Sequence, residues 1–108
     1  MSLDSYEFSA FVDSIKDLGY FEIEQKVFSV RMQLETLISA KGTTKQERYR
    51  AGHLLAQLSG LRFWFATGRR PAGLSDGDFA LLEPVCRSLI QKGILRPEAA
   101  DIFSTSVA

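Results

Sequence analysis

Apolar residues recur along this chain at intervals of three and four, the spacing that places them on one face of an α-helix. The first stripe is Phe8, Phe11, Val12, Ile15 and Leu18. The second is Ile23, Val27, Val30, Leu34 and Leu37, a strict 4-3-4-3 alternation of bundle or coiled-coil type. A third segment repeats it as Ala51, Leu54, Leu58, Leu61 and Phe65, and a fourth puts Phe79, Leu82, Cys86 and Leu89 on one side. No segment sustains the period of two that marks a strand. The pattern predicts an all-α fold: a compact bundle of four helices plus a short C-terminal helix.

Local signals place the element ends. Gly19, Gly42, Gly68 and Gly93 each follow a helical stretch, where a left-handed C-terminal cap is expected. They divide the chain into helices over about 4–18, 21–40, 44–67 and 75–92. "DSYE" offers Asp4 as N-cap with Glu7 three residues on, and "TKQE" offers Thr44 with Glu47, the two halves of a capping box. Pro84 has no N–H to give the ladder, so the fourth helix should kink or restart there. Pro97 in "RPEAADIF" stands at the first position of a short closing helix. The second and third helices, with matching seams and a short loop, should lie antiparallel. At 108 residues the chain is sized for a single helical domain, 1–108.

Two helices carry more apolar surface than one seam needs. On the second, Phe21, Phe28 and Met32 share a side away from the seam, flanked by Glu24 and Glu35. Either the first helix packs there, or the stripe docks a partner or a second copy, because such patches are seldom left open. On the third, Gly52, Ala56 and Gly60 fall four apart between Tyr49 and Phe63, which predicts a small-residue groove closely approached by another helix. In "LRFWFATGRR" Phe65 belongs to the seam and Phe63 to the groove. Trp64 falls between them, on the side of Arg50, His53 and Gln57, where it either covers the core edge or joins a polar and aromatic strip that binds a partner.

Charge adds a third question. The chain is net neutral, yet residues 1–40 carry three basic and seven acidic groups (−4), residues 41–70 seven and one (+6), and residues 71–108 three and five (−2). Neutralisation within the chain is expected, with Arg48 and Arg62 reaching Glu22, Glu24, Glu35, Asp13 or Asp17. The alternative is nucleic-acid binding by the basic segment 41–70. Arg69 and Arg70, just past Gly68, either complement the carbonyls at the helix end or grip phosphate. "KGTTKQERYRAGHLLAQLSG" resembles the start of a helix-turn-helix but lacks a break for the tight turn.

Candidate chemistry is sparse. Cys86 is alone, so no internal disulfide forms, and its place in an apolar stripe predicts an inert thiol. His53 has no carboxylate at helical spacing to orient it. "SDGD" lacks the further oxygens of a calcium loop and reads as a helix cap. There is no phosphate loop or zinc spacing. These absences predict no catalytic residue, cofactor or metal. The N-terminus has no secretory pattern and no apolar run nears the ~20 residues of a membrane span, so a cytoplasmic location is expected. The sequence therefore reads as a non-catalytic protein-interaction or regulatory module whose partner is another protein or itself, as a homodimer. Its candidate surface comprises Phe21, Phe28, Met32, Arg50, His53, Gln57, Trp64, Arg69 and Arg70.

Overall fold

The computed structural model describes residues 7–104, and these form an all-α fold with no strand among them. The elements are α1 (Phe8–Ile15), α2 (Tyr20–Ser39), α3 (Lys45–Thr67), α4 (Asp76–Ala80), α5 (Glu83–Gln91), a 3₁₀ turn (Pro97–Ala100) and α6 (Asp101–Ser104). No helix among the described residues is long and apolar enough to cross a membrane.

Capping chemistry sets several of these bounds. Thr44 Oγ1 accepts from the Glu47 N–H at 3.1 Å, and Glu47 Oε1 accepts from the Thr44 N–H at 3.2 Å, so the capping box at α3 forms as read. The Thr44 hydroxyl, which donates to Glu47 Oε1 at 2.8 Å, and then the Thr44 N–H hold the Glu47 carboxyl below the usual carboxylate range. Ser75 Oγ accepts from the Asp78 N–H at 3.1 Å and caps α4, so "SDGD" is a helix start. Gly42, Gly68 and Gly93 take the expected positive φ, and at Gly68 (φ 70°) the N–H closes α3 onto the Trp64 carbonyl at 2.7 Å. Gly19 differs: its backbone is extended and it serves as N-cap of α2. Asp4 lies outside the described residues. Glu7 occupies the N-cap position of α1 without capping it, because its carboxylate is drawn to Arg50. The fourth predicted helix divides into α4 and α5, with Pro84 in the first turn of α5, where its missing N–H is harmless.

The long pair α2 and α3 is antiparallel. Tyr20, at the start of α2, stacks on Phe65, near the end of α3, with centroids 4.3 Å apart. At the other end Arg48 donates to the Ala40 carbonyl at 3.4 Å. Each seam meets the core as the spacing predicts, with Ile23, Val27, Leu34, Ala51, Leu54, Leu58 and Leu61 buried and Val30, Leu37 and Phe65 packed at its edge. The α1 stripe and Phe79, Leu82, Val85, Cys86 and Leu89 complete one core. Burial pushes the Cys86 thiol up, so it is a packing residue with little thiolate at neutral pH.

The covering layer lies on one side of this hairpin, and α3 shows which. Successive 100° steps bring Gln57, Gly60, Leu61 and Trp64 to a shared side, and all four are buried. Leu74 packs against Gly60, Asp78 reaches Gln57, and Phe103 meets Trp64 edge-on with centroids 6.1 Å apart. Phe103 also stacks on Phe79 at 4.7 Å, which ties the closing segment to α4. Ser59, Arg62, Phe63 and Ala66, on the other side of α3, are all exposed. The small-residue groove is thereby corrected. Only Gly60 has a close neighbour, Ala56 is exposed, and a Cβ at Gly52 would meet nothing within 4 Å. Each step of four residues rotates 40° round the helix, so the three small residues do not share one neighbour.

Candidate protein-docking face

Phe21, Phe28 and Met32 are 66%, 64% and 49% exposed, which settles their place: α1 does not pack on them. On α2 they fall within about 40° of one another, on the side turned from the core. Beside them, between α2 and α3, runs an apolar groove of about 270 Å³ walled by Val27, Phe28, Leu61, Phe65 and Ala66. Glu24 and Arg31 line it from α2 and Arg62 from α3. The face thus has an apolar centre and charged rims, the anatomy of a docking surface.

Its charges are poorly matched within the chain. Glu35 and Arg31 approach only to 3.8 Å, and Asp13 pairs locally with Lys16. Among the described residues no carboxylate pairs with Arg62, and Arg48 is spent on a backbone carbonyl. The expected pairing of Arg48 and Arg62 with Glu22, Glu24, Glu35, Asp13 or Asp17 is therefore corrected. The first and middle thirds meet through a different pair, Glu7 with Arg50 at 2.9 Å. Arg31 Nε lies buried in the groove wall without a hydrogen-bond partner among the described residues, a state that costs about 1–3 kcal/mol when left unmet. The Tyr20 hydroxyl, at one end of the same face, is held above the usual phenol range by partial burial and then by the Glu24 carboxylate.

The strip on α3 divides in two. Trp64 is 3% exposed and Gln57 is 7% exposed, so both are buried and neither forms part of an interaction surface, contrary to the expectation from the sequence. Gln57 Nε2 donates to Asp78 Oδ2 at 2.8 Å, which gives this buried polar side chain, the only polar residue classed as buried among the described residues, a partner. Residues 74–103 cover the C-terminal half of the strip. The N-terminal half stays open as a shallow polar groove of about 520 Å³ among Glu7, Gln46, Tyr49, Arg50, His53 and Asp78. His53 is exposed there with its ring parallel to Tyr49, 6.4 Å away, and Arg50 is occupied by Glu7. Arg70 is exposed, pairs with Asp76 and lies over the Phe79 ring at 4.8 Å. Arg69 is exposed, and its N–H donates to Thr67 Oγ1.

The described residues hold no cluster of three or more His, Cys, Asp or Glu able to bind a metal ion. On one open helical face the chain presents an apolar stripe, a groove and rim charges of both signs. Sequence reasoning found the α2 half of this face from surplus apolar residues. It missed the α3 half, whose signal was weak, because Ser59, Arg62, Phe63 and Ala66 mix small, charged and aromatic types. No family model, curated protein or solved structure matches this chain.

Proposed function

We propose that this chain is a non-catalytic protein-interaction module of the cytoplasm that docks a protein partner on the open face of α2 and α3. One observation carries the reading: three large apolar side chains, Phe21, Phe28 and Met32, stand exposed in a single stripe beside an apolar groove. Water contact on a stripe of this kind is unfavourable by about 25 cal/mol per Å², so covering it favours association. A protein suits the face better than nucleic acid does. Two of the arginines from the basic segment, Arg50 and Arg70, already face carboxylates, and the centre of the open face is apolar, with Glu24 and Glu35 beside the stripe.

The test is a photo-reactive residue placed at position 28, with a control at the exposed Lys92 on the far side, in cells that express the protein. Protein adducts should form from position 28 and not from position 92. Adducts to nucleic acid, or equal yields at both positions, would overturn the reading.

A further inference from the structure

The shape and charge of the open face fit a particular occupant. Within the hairpin, the Tyr20–Phe65 stack and the Arg48–Ala40 contact fix which residues stand at the same height. By that register Phe21 is level with about Ala66, Glu24 with Arg62, and Phe28 with Ser59. A two-fold axis parallel to the helices and lying over the groove would set α2 of one copy above α3 of another at equal height, because rotation about such an axis preserves height. The large residues of α2 then fall on the small residues of α3, and Glu24 falls on Arg62. Both matches occur twice, as an isologous contact requires.

We propose that a second copy of this chain covers the open face, with α2 of each copy lying over α3 of the other and Glu24 of each paired to Arg62 of its mate. The proposal rests on the docking reading above and names its partner. Phe28 comes to the exposed Ser59 and Phe21 to Ala66 at the groove wall, and Arg62 gains a carboxylate partner that it lacks among the described residues. The result is a four-helix core made from two hairpins. The antiparallel α2–α3 pair of one copy faces the same pair of the other, the arrangement by which helical bundles ordinarily close.

Light scattering on the purified full chain, from micromolar to millimolar concentration, should give twice the 12.1 kDa chain mass. Glu24→Arg and Arg62→Glu each place like charges together at both symmetric contacts. Each should raise the dissociation constant by about 10- to 100-fold while leaving helicity unchanged, since both residues are exposed. Mixing the two variants restores opposite charges at both contacts, so a heterodimer should form. A single-chain mass at millimolar concentration overturns the proposal, as does a mixture that associates no better than either variant alone. A monomeric chain that still forms protein adducts from position 28 overturns the second copy and leaves the docking reading standing. Absence of both removes both.

Discussion

Trp64→Ala is expected to destabilise the domain by about 3–5 kcal/mol, the range for deleting a large buried aromatic. The indole is 3% exposed and is enclosed by Phe65 on its own helix and Phe103 from the closing segment. Its removal leaves a cavity beside Phe103, the ring that links α3 to Phe79 of α4. A domain of this size has only about 5–15 kcal/mol in total, so the variant should melt far below the parent. Had Trp64 served as a surface anchor, the same change would weaken binding and leave the melting temperature nearly unmoved. Denaturant midpoints followed by circular dichroism separate the two.

The second large effect is a contrast between two glycines eight residues apart. A Cβ at Gly60 would stand 2.8 Å from Leu74 Cγ, the branch point of a buried side chain that has little room to yield. Gly60→Ala should therefore lower stability by about 1–2 kcal/mol even after the helical preference of alanine is counted. Gly52 has open space where its Cβ would be, so Gly52→Ala should raise stability by up to about 1 kcal/mol. Equal effects at the two sites would mean that Leu74 does not pin the loop after α3 to that helix. The pairing matters for function, because this loop decides which side of α3 is covered.

That choice of side is where sequence reading stops. The 4-3 spacing of Ile23 to Leu37 and of Ala51 to Phe65 identifies the faces that meet, since periodicity is a local property of a helix. Caps at Thr44, Ser75 and Gly68 were legible for the same reason: each is a contact within four residues. By contrast, whether α1 or residues 74–103 would lie against Phe28 or against Trp64 depends on contacts far apart in sequence. Gln57 with Asp78 and Gly60 with Leu74 are examples. Arg50, His53, Gln57 and Trp64 look alike on a helical projection, yet half of that strip is core and half is open. A buried glutamine with a distant carboxylate leaves no periodic trace, and neither does the Glu7–Arg50 pair across 43 residues. The apolar excess on α2 was visible, and the structure adds the groove and rim charges that make it a face.

A docking face of this kind is open in the isolated chain and covered in the working state. Hydroxyl-radical footprinting of Phe28 and Met32 measures that directly, comparing dilute purified protein with the same protein inside cells that express it. Both side chains should react readily in the dilute chain and be strongly protected in the cell, with exposed Tyr49 on α3 reacting alike in both. Equal reactivity of Phe28 and Met32 in the two settings would contradict it.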